Sequence, residues 1–391
     1  MREPLTRTTA AQERLPALRT VGVEEELLLV DAETGRPLTR GSGVISRAPA
    51  LVRTTGAGGV GEWLGPPAGH VASELQQQQV EIATAPRTAP LGLEQDLRAW
   101  RAAAGAAAEE LGARVVATGM SPLPFTPAPT ADRRYAAIME HFGLTARQQL
   151  TCGCHVHVGV ASDDEAVGVL DRIRPWLPVL LAISTNSPYY AGEDTGFASF
   201  RSQAWARWPT AGPPERFGSA RRYHAFVDQL LSTGVPLDHK MVYFDARLSP
   251  TFPTIEIRVA DVCLDVQDSV LVAALCRGLV ETAARAWAAG DEAPDVPTEL
   301  LRLATWRAGH DGVDGALLDP FTALPHPATE VLGQLLEYVE PALLEAGDLY
   351  FVERQLSAVL KRGTGAWRQR ELAADRGLPA VVAALARATL A

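Results

Sequence analysis

The stretch TCGCHVHVGV at residues 151–160 sets His155 and His157 two positions apart, with Cys152, Cys154, Val156, Val158 and Val160 at the alternate positions. Side chains on a β-strand alternate between faces, so both imidazoles share one face with Gly153 and Gly159 while the apolar residues share the other. The same pairing of polar residues at i, i+2 recurs: Glu24 with Glu26 in VGVEEELLL, Gln77, Gln79 and Glu81 in LQQQQVEIAT, and Glu256 with Arg258 in TIEIRVA. In MVYFDAR, Tyr243, Asp245 and Arg247 fall opposite Val242, Phe244 and Ala246. An antiparallel sheet with one wet face alternates in the same way, and for any single strand that reading suffices. Across five strands, however, the polar set is Glu, Gln, His and Arg flanked by Gly22, Gly153 and Gly159, not the Thr, Ser and Lys mixture of a solvated surface.

If these faces coincide, Glu24, Glu26, Glu81 and Glu256 converge, and ionised carboxylates so placed repel strongly unless cations sit among them. Hard divalent ions such as Mg²⁺ and Mn²⁺ take carboxylate oxygens, and Mn²⁺ accepts imidazole as well, so the pattern points to a multi-metal site. Glu25 falls on the apolar side of its strand, where it sits at a bend or pairs with an arginine. A zinc site built from Cys152, Cys154, His155 and His157 requires a bulge, because thiols and imidazoles project to opposite faces. Cys263 and Cys276 read as packing residues. The other histidines, at 70, 141, 224, 239, 310 and 326, lack a comparable setting.

The elements that must carry these residues are legible as strands at RTVGVEEELLLVD, LQQQQVEIAT, RVVATG, LTCGCHVHVGV, MVYFDAR and TIEIRVA. Helical periodicity marks 93–111, 164–183, 268–287 and most of 298–390. Strands with helices between and after them predict an α+β fold with a mainly antiparallel sheet covered by helices. Residues 1–18 read as a disordered leader, and 19–391 as one catalytic domain whose last part, from about 290, is helical. Residues 34–70 and 186–221 read as loops; the second, with its Trp, Tyr, Phe and Arg residues, suits a lid that carries Arg201.

Totals exclude several classes. The formal net charge of -10 and pI near 5.4 repel a nucleic-acid backbone or an anionic membrane. No stretch is long and apolar enough to span a bilayer and the N-terminus lacks an apolar signal region, which predicts a cytoplasmic protein. Four cysteines make no disulfide framework. The only lysines, Lys240 and Lys361, follow no G-x-x-x-x-G, so no P-loop is present.

Divalent ions beside an arginine, without a P-loop, suit phosphoryl transfer from a nucleotide; metal-dependent hydrolysis fits the spacing equally well. The ordered motifs TVGVEEELLLVD, ELQQQQVEIATAP, TCGCHVHVGV, NSPYYAGEDTGFASFRSQAWARWP and TIEIRVADVCLDVQD resemble those of the carboxylate-amine ligases of the glutamate-cysteine ligase type 2 family, over residues 18–290 at least. The resemblance implies the glutamine synthetase-like superfamily fold, a curved antiparallel sheet lining a funnel. It implies ATP and Mg²⁺ (or Mn²⁺) as cofactors, with ATP entering from one side and the small carboxylate and amine substrates from the other, and a homodimer or larger assembly. Carried over by residue, it implies that Glu24, Glu26, Glu81, His155 and Glu256 bind metal, and that Arg258, with Glu256, acts on the transferred phosphate. His157, Glu74 and Arg201 are implied substrate or nucleotide contacts. The expected reaction is phosphorylation of a carboxylate followed by amide formation. The rivals are an amidohydrolase-type metal hydrolase, for which H-x-H on a strand is familiar, and a non-catalytic nucleotide- or metal-binding module.

Overall fold

The computed structural model describes residues 18–55 and 69–391. At its centre is a seven-stranded antiparallel sheet. It is built from β1 (Val21–Asp31), β2 (Gly69–Ser73), β3 (Gln79–Thr84), β4 (Ala113–Val116), β5 (Gly153–Gly159), β8 (Ala246–Leu248) and β9 (Thr254–Asp261). The strand order is β2-β3-β1-β5-β9-β8, with β4 taking over from β5 along the second half of β1. The sheet is open rather than closed into a barrel, which removes the architecture a hydrolase of the amidohydrolase kind needs. Two further ribbons, β6 (Tyr189–Tyr190) with β7 (Glu193–Asp194) and β10 (Ala316–Leu318) with β11 (Pro325–Pro327), stand outside it.

The alternation in sequence becomes a two-faced sheet. Val21, Val23, Cys154, Val156, Val158, Ile255 and Ile257 point into the larger apolar cluster, against the helices Asp163–Ile173, Leu177–Ser184, Val266–Ala289 and Ala328–Ala346. Leu27, Leu29, Val80, Ile82 and Val115 join a second cluster under the helices Gly41–Thr55, Pro90–Glu109 and Leu378–Thr389. Burying such side chains stabilises by about 1.5–3 kcal/mol each, so the helical layer holds the back of the sheet rigid and leaves the polar face free. The C-terminal part is helical, and among the described residues no helix is long and apolar enough to cross a membrane.

Several local expectations are corrected. Part of the 34–70 stretch is the helix Gly41–Thr55, because the Gln77 side chain accepts from the Ser42 backbone N–H and hydroxyl at its start, offsetting the glycines. Residues 56–68, and nearly all of the expected leader at 1–18, lie outside the described residues. Pro175 and Pro178 break the helix expected over 164–183 into two with a 3₁₀ turn between, since proline removes a donor and crowds the preceding turn. MVYFDAR is strand only from Ala246; His239–Met241 is a 3₁₀ turn, and the Arg247 guanidinium takes the carbonyls of Lys240 and Val242 that a ladder would otherwise use. The 186–221 stretch is no loose lid: it holds the helix Phe200–Trp205 and is pinned through Ser187 and Ser199 to the buried Asp261 carboxylate.

Candidate active site

Register brings the polar residues together. Glu26 stands opposite Glu81, Glu24 opposite His155, Gly22 opposite His157, and His157 opposite Glu256. Directly opposed side chains lie within about 5.5 Å at Cβ, so these pairings stack the carboxylates and imidazoles in rows across four adjacent strands. Glu74, in the turn between β2 and β3, leans into the same rows. A cavity of about 390 Å³ opens above them, a size suited to small-molecule substrates. Its opposite wall comes from Arg134 and Tyr135 of the helix Arg133–Phe142, Trp205, Trp208, Lys240 and Tyr243.

The ligand atoms form three overlapping triads: Glu24, His157 and Glu256; Glu24, Glu81 and His155; Glu26, Glu74 and Glu81. Within each triad the donor atoms lie within 4.8 Å of one another. The carboxylates are desolvated and repel one another. Desolvation, then the Glu24, Glu74 and Glu26 charges, pushes the Glu81 carboxyl well above its usual range. Desolvation and Glu26 push Glu74 up to about 8. Against a burial that would raise it, contacts with His155 and His157 hold Glu24 far below the usual range. Desolvation, then Arg258, lowers His155, keeping its imidazole neutral and able to ligate.

Two observations test whether this set fits divalent cations. The Nε2 atom of His155 is buried without a hydrogen-bond partner, the state of a ligand nitrogen rather than of a packed core histidine. The His157 Nδ1 is held 2.9 Å from the Thr254 hydroxyl, a second-row contact that turns Nε2 toward Glu24, 3.3 Å away. Carboxylate-rich triads with one imidazole at most match Mg²⁺ or Mn²⁺. All four cysteines are buried, and Cys154 points away from the imidazoles into the core, which disposes of the Cys/His zinc reading.

Glu256 and Arg258 sit together at the cavity. Arg258 pairs with Glu256, whose other partner is Arg247 at 2.8 Å and 3.1 Å. These two guanidinia, Arg258 first, override burial and hold Glu256 well below the ordinary carboxylate range. Arg258 lies 5.6 Å from the Trp205 ring and is almost wholly buried, so its charge acts on the cavity it lines with little screening by water. Glu25 takes the alternative anticipated for it, pairing with Arg101 on the far face. Arg201 does not line the cavity; it is buried and donates to the carbonyls of Arg258 and Val259. Gln77 also turns away, toward Ser42.

Sequence reasoning did not single out Arg134, Tyr135, Trp205, Trp208 or Lys240 as cavity residues. They reach the site from helices and turns, where no period-two pattern exists. The available signals were Lys240, one of two lysines in the chain, and the Trp-rich 186–221 stretch that holds Trp205 and Trp208.

Comparison with known proteins agrees with this arrangement. The model of the glutamate-cysteine ligase family 2 matches residues 20–377. A Streptomyces avermitilis protein named "Putative glutamate–cysteine ligase 2-1" is 49% identical over 355 residues, covering 91% of this chain and 94% of its own. A like-named protein of Streptomyces coelicolor is 48% identical over 376 residues, covering 96% of this chain and 100% of its own. Among solved structures, a glutamate–cysteine ligase from Francisella tularensis in complex with AMP aligns with TM-score 0.62 at 13% identity, over 96% of this chain and 89% of that one. A bifunctional glutathione synthetase from Pasteurella multocida gives the same TM-score at 15% identity, over 95% of this chain and 51% of that one. At such identities the structures speak to the fold alone, which is glutamine synthetase-like, whereas the match along nearly the whole sequence places the chain in the glutamate-cysteine ligase family 2.

Proposed function

We propose that the cavity joins a carboxylate to an amine at the expense of ATP, with glutamate and cysteine as the reference pair. Membership of the family makes the chain a C–N bond-forming ligase. The observation that carries the proposal is the run of three triads along β1, beside a buried Arg258 and without a P-loop. Bound at those triads, Mg²⁺ or Mn²⁺ would neutralise the carboxylates and supply positive charge to phosphate oxygens. Glu24, Glu26, Glu74, Glu81, His155, His157 and Glu256 are the residues that would hold them.

In this reading Arg258 faces the phosphoryl group in transfer and stabilises the charge that spreads over its oxygens, while Glu256 fixes the orientation of Arg258. The substrate carboxylate takes the phosphoryl group from ATP, leaving ADP; the amine then displaces phosphate and the amide forms. The packed wall of Trp205, Trp208 and Tyr243 keeps water from the activated acyl group between the two steps. A cytoplasmic location, a homodimer and a catalytic unit spanning 19–391 belong to the same proposal.

The test is ADP release by purified protein with ATP and Mg²⁺ across a panel of acids and amines, beside a Glu256→Gln variant. Substrate-stimulated release that the variant loses is the expected result. Silence across the panel, together with no change in melting temperature on adding ATP with Mg²⁺ or Mn²⁺, would overturn it.

A further inference from the structure

We propose that Arg201 is a positioning residue that seats an irregularity in β9 and thereby aims Arg258 into the cavity; the inference rests on the ligase reading for its kinetic consequence. The β5–β9 pairing runs regularly from Gly159 opposite Thr254 to Val156 opposite Ile257, then resumes at Cys154 opposite Ala260. His155 alone therefore faces both Arg258 and Val259, a β-bulge with the extra residue on β9. Val259 and Ala260 both turn to the apolar core, as the extra residue requires. Bulges bend a strand and redirect a side chain, and this one falls on the arginine that faces the site.

Arg201 occupies the position from which such a bulge is held. Its two terminal nitrogens donate to the carbonyls of Arg258 and Val259, at 3.3 Å each. A planar fork that spans two successive carbonyls is a geometry arginine has and lysine lacks. Its Cζ lies 5.7 Å from the Trp205 ring, and Arg258 meets the same ring at 5.6 Å, so one indole registers both guanidinia. On the opposite strand, a Cβ at Gly153 would come within 2.2 Å of Arg201 Nη2. The glycine makes the space for the guanidinium, and its own N–H donates 2.6 Å to Glu26. Asp261, whose carboxylate accepts from Asn186, Ser187 and Ser199, anchors the segment that delivers Arg201.

Steady-state kinetics on Arg201→Ala, Arg201→Lys, Arg258→Ala and the double alanine variant test the proposal. Misplacement by about 1 Å costs about 100-fold, so Arg201→Ala is expected to lower kcat by that order with KM for each substrate within about threefold. Arg201→Lys gives no rescue, and the double variant is no slower than Arg258→Ala, because Arg201 acts through Arg258. A further loss in the double variant equal to that in the wild-type background would overturn the proposal. So would a KM increase for one substrate with kcat unchanged, which would make Arg201 a substrate contact. If the wild type releases no ADP with any substrate and its melting temperature is unmoved by ATP with Mg²⁺ or Mn²⁺, the ligase reading fails by itself. Urea denaturation of metal-free Gly153→Ala, Arg201→Lys and their combination then decides the positioning claim. The glycine substitution is expected to cost much less beside lysine, whose narrower head yields; an equal cost in both backgrounds would contradict it.

Discussion

Glu24, Glu25 and Glu26 are consecutive on one strand, yet the two faces of the sheet treat the same carboxylate in opposite ways. On the back, Glu25 is wholly buried and fully matched: Arg101 donates to both its oxygens at 2.7 Å, and Ser269 adds a third donor. The remaining donors of Arg101 go to the carbonyls of Leu264, Cys263 and Thr389. On the front, Glu24, Glu26, Glu74, Glu81 and Glu256 gather around two imidazoles, and the nearby guanidinia of Arg247 and Arg258 both go to Glu256. A carboxylate paired one to one is structure; a cluster in which carboxylates outnumber the guanidinia paired with them is suited to binding cations.

The largest expected effect comes from breaking the matched side. Arg101→Met leaves Glu25 charged and buried without its partner, and should cost about 3–5 kcal/mol of stability in urea denaturation. On the unmatched side the sign reverses. Glu81→Gln should leave metal-free stability equal or higher, because it relieves repulsion, while lowering ligase turnover by about 100-fold or more through loss of a residue shared by two triads. If both substitutions destabilise alike, the contrast between the faces is wrong.

Asp245 offers an intermediate case. It is buried off the cavity, its Oδ2 has no hydrogen-bond partner, and desolvation pushes it up to about 7 despite the pull of Arg302 and Arg201. A carboxyl raised in the folded state favours the protonated form, so its contribution is present below the unfolded value, about 3.9, and is lost as pH rises through 7. Between pH 4 and 8, wild type should therefore lose stability relative to Asp245→Asn, a divergence that melts at stepped pH would register. The smallest effect sharpens the front face alone: Thr254→Val frees the His157 ring and should weaken Mn²⁺ binding by about tenfold, measured by calorimetry, with stability nearly unchanged.

Most of the front face was legible in the sequence because strand alternation is local: Glu24, Glu26, Glu81, His155 and Glu256 share a face for the same reason that Val156 and Ile257 share the other. What escaped depends on contacts between distant segments. The bulge at Arg258–Val259 leaves no mark in TIEIRVA, since it exists only relative to β5 and to Arg201. Glu74, read as a substrate contact, joins a triad through the turn that precedes β3. The helix at 41–55 was masked by Gly41, Gly43 and Pro49, because its start is stabilised by Gln77 from another element.

Titration of the protein with Mg²⁺ and with Mn²⁺, read by melting temperature in wild type and Glu81→Gln, tests most directly whether the excess carboxylates bind cations. Binding to the folded state stabilises by mass action, so the wild-type melting temperature should climb with ion concentration while that of Glu81→Gln climbs little. A wild-type melting temperature indifferent to millimolar divalent ions, or an equal rise in the variant, would contradict the account.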